Sequence, residues 1–406
     1  MKISLRADQT TKWKVQGGAT GGTGAEDLDR VVVAHISTYP PRECGIALYT
    51  KALVDSMGFE RFVHFVLAVD NGKPGYQYDS SVRFVINASN SANYKEAAMF
   101  LNQSRASVVS LQHEYGIFAG EWGSYILDLS SFLDKPLITT FHTVLRNPPL
   151  LAKSTLCELA SASKYVVVTL KKAARLLVDT YGLPESKLRI IQHGAPPLGK
   201  SDPSIEKQQL GISGSPIAVT VGFLSPAKGI EYGLRAMKTL LREYPDLIYI
   251  VVGKIHPSLK PEQGDAYWKT LQDMKGYLGL AQSVKFVNRF VSEDELAMFL
   301  NIADVYIAPY RGRDQVSSGT LTRATASGKA IVATPTPFAK ETLTPGRGLL
   351  CKFDNPWSIA RQVHRILNSP SLKRRLEVRA KRYAARVGWQ QTGEKYAKLF
   401  KKALEV

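Results

Sequence analysis

The chain is poor in cysteine, with only Cys44, Cys157 and Cys351 among 406 residues. These three stand far apart, so neither a disulfide framework nor a cysteine zinc site is indicated. No HxxxH or HxH spacing supplies other zinc ligands. No apolar run is long enough to span a bilayer, and no leader joins a charged start to an apolar core. Acidic residues are scarce: 35 stand against 53 lysines and arginines, for a formal net charge of +18. That excess suits an anionic partner, whether a nucleotide, an anionic membrane surface or nucleic acid. No RNA- or DNA-reading motif accompanies it, and no aromatics interleave the charges of the basic run LKRRLEVRAKRYAARV in a stacking pattern, so nucleic acid is set aside. A solvated helix face is the plainer account of that run, with an anionic membrane as the alternative. The expected location is cytoplasmic, with peripheral contact at the inner membrane face.

A hydrophobic content of 44% and a charged content of 22% are ordinary for a globular protein. The length suggests two domains of roughly 150–200 residues each. Residues 1–29 are polar and glycine-rich and read as a flexible tail. The glycines there have neither the preceding strand nor the GK[ST] of a phosphate loop. Asp27-Leu28-Asp29 has the DxD spelling of a metal signature, but its place at the edge of the tail favours a solvated turn. From Arg30 apolar strands such as RVVVAHIS, ASVVSLQ, PLITTF and YVVVTL alternate with amphipathic helices. Continuous Val/Ile runs between such helices indicate a parallel sheet covered on both faces. A Pro/Gly/Ser/Lys-rich stretch then reads as an interdomain linker. A second series begins with PIAVTVG and continues through DLIYIVVG, SVKFVN, DVYIAP and KAIVAT. The fold class is therefore α/β, with two Rossmann-like doubly wound domains facing a central cleft. Their expected bounds are 30–195 and 214–387, joined by a linker at 196–213.

Several turns fall where a doubly wound sheet presents ligands, at the carboxyl ends of its strands. Residues 304–335 read as strand, polar turn, small-residue helix, glycine and strand. The turn carries Ser317, Ser318, Gly319 and Thr320, and backbone N–H groups at a helix start, flanked by hydroxyls, suit an anion. VGFLSPAKG (221–229) places Lys228 at the mouth of a glycine turn, where it can neutralise a departing phosphate. In PPRECGIALYTKAL (40–53), Gly45 would let a ligand approach the backbone, with Arg42 and Glu43 directed into the cleft. His113 and Glu114 in LQHEYGIFAG and His142 in TTFHTV follow apolar strands and are expected on the cleft rim. His193-Gly194 ends the last strand of the first half, where a structural turn is an equal reading.

In this order the motifs resemble the retaining glycosyltransferases of family 4, glycosyl transferases group 1, which have the GT-B architecture. The resemblance runs from Arg30 onward and rests on Gly45, His142, the QHG at 192–194, VGFLSPAKG, Gly253 and the SGTL helix. The segment VSEDELAMFLNIADVYIAPY adds to it, and GWQQTGEKYAKLF resembles the final helix, here 388–406, that crosses back to the first domain. It implies transfer of a hexose from a nucleotide-diphosphate sugar to an acceptor hydroxyl with retention, and no metal or cofactor. GDP-mannose and UDP-glucose are the donor types that family habit suggests. The implied acceptor is a saccharide or a lipid-linked molecule. By resemblance, the catalytic residues are His142 and Lys228, with Lys228 on the diphosphate and His142 beside the donor sugar. The implied donor-binding set is Gly45, Gly222, Lys228, Gln315, Ser318, Gly319, Thr320 and Arg323. His113 and Glu114 fall on the acceptor side.

Two departures stand out. The family's glycine-arginine is Gly222-Phe223 here, so one phosphate cation is missing. Its pair of glutamates falls on Gln315 and Arg323. Gln315 can still hydrogen-bond sugar hydroxyls. Arg323 cannot accept from a ribose hydroxyl, and it is expected to supply the cation missing at Phe223. These changes leave two alternatives to transfer: a scaffold that binds sugar nucleotides, or a GT-B sugar-nucleotide epimerase.

Overall fold

The computed structural model describes residues 30–58, 61–72, 75–196, 202–212, 216–256, 259 and 261–405. The glycine-rich stretch 1–29, with its DxD spelling, lies outside the described residues.

The first sheet comprises β1 (Val31–Ser37), β2 (Phe62–Asp70), β3 (Val82–Asn87), β4 (Val108–His113), β5 (Leu137–Phe141), β6 (Tyr165–Val168) and β7 (Leu188–Ile190). Its order is β3-β2-β1-β4-β5-β6-β7, and every pair is parallel. The second comprises β8 (Ile217–Val221), β9 (Ile248–Val252), β10 (Val284–Val287), β11 (Val305–Ala308), β12 (Ala330–Ala333) and β13 (Leu349–Leu350). Its order is β10-β9-β8-β11-β12-β13, again all parallel. The chemistry of the strands explains the layering. β4, β5, β8, β11 and β12 are buried along their whole length, as β-branched and small apolar runs must be when helices cover both faces. Each order reverses once, between β1 and β4 and between β8 and β11, and such reversals open a crevice at the strands' carboxyl ends.

Helix starts follow their sequence signals. Ser292 and Glu295 form a reciprocal capping box at the helix Glu293–Ile302. Within the stretch read as a linker, Pro203–Gln209 is a helix, capped by the Asp202 side chain accepting from the Ser204 amide at 2.8 Å. The proline and serine that suggested a loop serve there as the first residues of a helix.

The chain crosses between the sheets twice at one place. The Ala195 amide donates to the Val387 carbonyl at 2.8 Å, and the Trp389 amide donates to Ala195 at 3.1 Å. A Cβ at Gly194 would lie 2.3 Å from the Trp389 ring, so the indole packs only against a glycine. The helix Trp389–Leu404 then lies on the first sheet's side, with Tyr396, Leu399, Phe400 and Ala403 packed among Val33, Leu53 and Met57.

Candidate functional site

Three segments of the second sheet converge at the crevice. β8 ends at Val221, and Gly222 follows with φ of 132°, a left-handed value that favours glycine. Gly253, after β9, has φ of 134°, and a Cβ there would sit 2.2 Å from the Gly222 carbonyl oxygen. The two strand ends therefore touch backbone to backbone. A Cβ at Gly222 would meet the Lys228 Nζ at 3.1 Å and Thr320 Cγ2 at 3.3 Å. The geometry thus brings together Gly222, Lys228 and Thr320, which lie up to a hundred residues apart in sequence.

Lys228 closes the 3₁₀ turn Pro226–Lys228, and its ammonium lies 4.3 Å from the centroid of the Tyr310 ring. The Tyr310 hydroxyl is 2.8 Å from Thr320 Oγ1 and 3.2 Å from the Tyr306 hydroxyl. Burial raises the Tyr310 phenol, but the Lys228 charge and the Thr320, Tyr306 and Ser318 hydroxyls outweigh it and hold it below its ordinary value. Tyr306 goes the other way, raised well above the usual phenol range by burial and by Tyr310.

The helix Gly319–Ala326 starts beside this cluster. The Ser318 hydroxyl accepts from the Leu321 amide at 3.2 Å. The first-turn amides of Gly319 and Thr320 have no acceptor within the helix and point out of its positive end. Two hydrogen bonds from the other half hold the loop before this helix. The Ser317 hydroxyl donates to the His142 carbonyl at 3.0 Å, and the Thr169 hydroxyl donates to Val316 at 3.2 Å.

On the first sheet's side, Gly45 opens the helix Gly45–Asp55. A Cβ there would meet nothing within 4 Å, so neither packing nor φ calls for glycine at this position. Gly45→Ala is accordingly expected to leave the melting temperature unchanged while lowering turnover at least about tenfold, because even a small displacement of reacting groups is costly. Calorimetry and initial rates on the same preparation check this; unchanged rates would remove Gly45 from the site. The Glu43 carboxylate accepts from Lys254, which follows β9, and so bridges the two halves. Arg42 instead donates to the Val69 carbonyl at 3.0 Å.

His142 is nearly fully buried, and its Nε2 lies 2.9 Å from Gln112 Oε1. Its ring packs edge-on to Tyr49, with centroids 4.7 Å apart. Burial, with His193 and His113 nearby, lowers it to about 3, so it is neutral at physiological pH. His193, which the sequence left between turn and site, lies against the same Tyr49 ring at 4.9 Å. Its Nε2 would be 3.5 Å from a Cβ on Gly319, so it borders the first turn of the Gly319–Ala326 helix. Tyr49 anchors both rings, and its hydroxyl is 3.0 Å from that of Tyr396 on the returning helix. Nothing in the spacing of ALYTK marks Tyr49 as more than one core aromatic on a helix.

Two expectations are corrected. His113 is not on the cleft rim. It is wholly buried, with its ring between Tyr115, Phe118 and Phe141, and neither ring nitrogen has a hydrogen-bond partner. It is the last residue of β4, and its side chain falls on the core face of the strand. Glu114 turns the other way, accepting from the Thr143 hydroxyl at 2.6 Å and the Tyr115 amide at 3.1 Å, and burial raises its carboxyl. Arg323 is not a free cation for phosphate. Its Nε and Nη2 donate to the two oxygens of Glu293 at 3.0 and 2.8 Å, a bidentate pair that satisfies the charge locally. Phe223 packs with His256 and Phe290 at centroid distances of 5.4 and 5.9 Å. That aromatic trio stands at the ends of β8, β9 and β10, where the sequence reading places a second cation in related chains. Gln315 lies in the loop before the Gly319–Ala326 helix, half-exposed, and its carbonyl accepts from the Phe338 amide at 3.1 Å.

Among the described residues no group of three histidine, cysteine or acidic side chains could hold a metal, and no helix is long and apolar enough to cross a membrane.

Residues 202–383 match the family model "Glycosyl transferases group 1". A GDP-mannose-dependent alpha-(1-6)-phosphatidylinositol monomannoside mannosyltransferase of Mycolicibacterium smegmatis is 28% identical over 200 residues, 48% of this chain and 50% of that protein. The chain thus spans about half the length of the curated relatives it matches. HepE of Anabaena, solved with UDP and glucose, superposes with a TM-score of 0.74 at 14% identity, covering 91% of this chain and 99% of that one. Sucrose-phosphate synthase from Thermosynechococcus elongatus gives 0.75 at 17% identity, covering 92% and 99%. At such identities the likeness establishes the fold, two Rossmann-like halves of the GT-B type.

Proposed function

From the premise that this chain belongs, through residues 202–383, to the group 1 glycosyltransferases, we propose that it transfers a hexose from a nucleotide-diphosphate sugar to an acceptor hydroxyl, with retention and without a metal. The observation that carries this reading is the meeting of Gly222, the Lys228 ammonium and Thr320 at the start of the Gly319–Ala326 helix. A diphosphate seated there faces one fixed cation and two outward amides, which stabilise the charge that grows as the leaving group departs. The bond from the anomeric carbon to the diphosphate oxygen breaks, and the acceptor oxygen bonds to the same face. Its proton passes to the departing phosphate. No side-chain nucleophile is then needed. Neutral His142 serves as a hydrogen-bonding group beside the sugar, and Gly45 leaves room for the diphosphate from the other side.

The donor is of the GDP-mannose or UDP-glucose type. A mannosyltransferase relative named for GDP-mannose and a structural neighbour solved with UDP support that choice. The acceptor is a saccharide or a lipid-linked molecule, and the cytoplasm, with contact at an anionic membrane, is the place the basic surface suits. Donor turnover in the presence of chelator tests the reading. Nucleoside diphosphate should be released and an α-linked product formed, seen by proton NMR of the new anomeric centre. Turnover that needs added divalent metal, or a β-linked product from an α-linked donor, would contradict it. One observation favours a second reading, a sugar-nucleotide-binding protein without transfer: Phe223 and the Arg323–Glu293 pair leave the site with fewer free cations. Tight nucleotide binding with no release of product would select it.

A further inference from the structure

A second cleft opens between the halves beside the donor cradle. It has a volume of about 750 Å³, within the range of small-ligand sites. Val144 and Val316 form part of its wall, two residues from His142 and from Ser318 respectively. Arg146, Lys171, Lys172 and Arg175 face it. Lys171 and Lys172 are the first two residues of the helix Lys171–Asp179, where the helix dipole opposes positive charge. Arg175 stands one turn on, on the same face as Lys171. A cation pair at this end of a helix is a local disadvantage that a partner must offset. Part of the offset comes from within: Glu341 of the other half accepts from the Lys171 and Lys172 amides at 2.9 and 3.3 Å. That contact takes the backbone and leaves the side-chain charges. Arg146 reaches Asp314 only at 3.7 Å, between half-exposed side chains. Among the described residues Lys171, Lys172 and Arg175 have no carboxylate partner within 4 Å. Asp179, the remaining acid in the wall, sits at the far end of the helix. Elsewhere Arg311 and Arg313 pair with Asp354, and Arg323 with Glu293.

We propose that this cleft receives the anionic end of the acceptor, a phosphate group carried by a hydroxyl-bearing molecule. The inference rests on the transferase reading. The cleft adjoins the loop that carries Ser317 and Ser318, so an acceptor with its phosphate on Lys171, Lys172 and Arg175 can direct a hydroxyl toward the sugar beside His142. Its source is either a soluble phosphorylated sugar or polyol, or the phosphate headgroup of a lipid. The chemistry at the protein is the same for both.

Inorganic phosphate is the probe, titrated by phosphorus NMR into wild type, Lys228→Ala and the double variant Lys171→Gln/Arg175→Gln. Phosphate binding should persist in Lys228→Ala and fall about tenfold in the double variant, as expected when charge-assisted hydrogen bonds are removed. Both substituted side chains in the double variant are exposed, so the fold should be kept, and its nucleoside diphosphate binding should equal that of wild type. Glu341→Gln, which removes the neighbouring carboxylate charge, should strengthen phosphate binding. Phosphate binding lost in Lys228→Ala and kept in the double variant overturns the proposal while leaving the donor site standing. Loss of nucleotide binding in wild type would instead strike the transferase reading. Vesicles of phosphatidylglycerol in phosphatidylcholine, against phosphatidylcholine alone, separate the two sources. Co-sedimentation that depends on the anionic lipid and on Lys171 and Arg175 assigns a lipid, and phosphate binding without co-sedimentation assigns a soluble acceptor.

Discussion

Lys228→Ala is expected to lower kcat/KM for sugar transfer by roughly a hundred- to a thousand-fold, the range seen when one preorganised stabiliser of a developing charge is removed. The ammonium is fixed rather than mobile: it lies on the Tyr310 ring and over Gly222, close to Thr320. Phe223 cannot share the leaving-group charge, and Arg323 is held by Glu293. One cation therefore carries what two carry in the arrangement that the sequence resembles. The side chain is half-exposed and terminates a 3₁₀ turn, so truncation should leave the fold intact. Lys228→Arg should recover only part of the loss, because a planar guanidinium does not fit the same space. Steady-state rates with saturating acceptor check this. A loss under about threefold would mean that the helix amides alone carry the diphosphate.

The second large effect is on stability in mild acid. Burial holds His113 and His142 at about 3, His64 and His193 at about 4, and His35 well below its ordinary value. In the unfolded chain each titrates near 6.5. Between those values the unfolded chain binds protons that the native chain refuses. Stability is therefore complete above about pH 6.5 and falls as pH drops toward 4. Each such histidine adds up to one proton of difference between the unfolded and the native chain in that window. Glu114 and Glu377, raised by burial, titrate in the opposite sense and offset part of this. The five histidines act in the same direction, so stability should fall steeply with acid across this window. Denaturant unfolding should show the midpoint falling steeply between pH 6.5 and 5. His113→Phe should remove one proton from that slope and leave transfer unchanged, since its ring packs among Tyr115, Phe118 and Phe141 with no side-chain hydrogen bond, and its carbonyl, which accepts from the His142 amide, is kept. A flat profile from pH 7 to 5 would contradict the burial assigned to these rings.

The layered α/β architecture was legible because it depends on local composition. Strands buried on both faces must be apolar throughout, and PIAVTVG, DVYIAP and KAIVAT satisfy that without reference to partners. The turns at Gly222 and Ser318 were legible for a similar reason: a glycine with a left-handed φ and a hydroxyl-capped helix start each have a backbone cause. Side-chain direction at a strand end was not legible. His113 and Glu114 are adjacent, and period-two alternation sends one to the core and the other to Thr143. Spacing alone does not say which. Pairing across the fold was likewise out of reach. Arg323 reads as a free cation until Glu293, thirty residues earlier, is placed beside it. Tyr49, His193 and Trp389 form one cluster only because the chain crosses back at Gly388. Glu43 and Lys254 lie in loops that follow strands of different sheets, β1 and β9, and they meet only in the folded chain.

Thermal unfolding in the presence of UDP, GDP, ADP and their sugar conjugates, without metal, tests the donor cradle most directly. One nucleotide and its sugar conjugate should stabilise wild type by about 2–3 kcal/mol at a hundredfold excess over Kd. For a chain of this size that is a shift of a few degrees. The same ligands should shift Lys228→Ala much less. Absence of any shift at millimolar nucleotide would contradict the account, since it would mean that Gly222, Lys228 and Thr320 meet without forming a phosphate site.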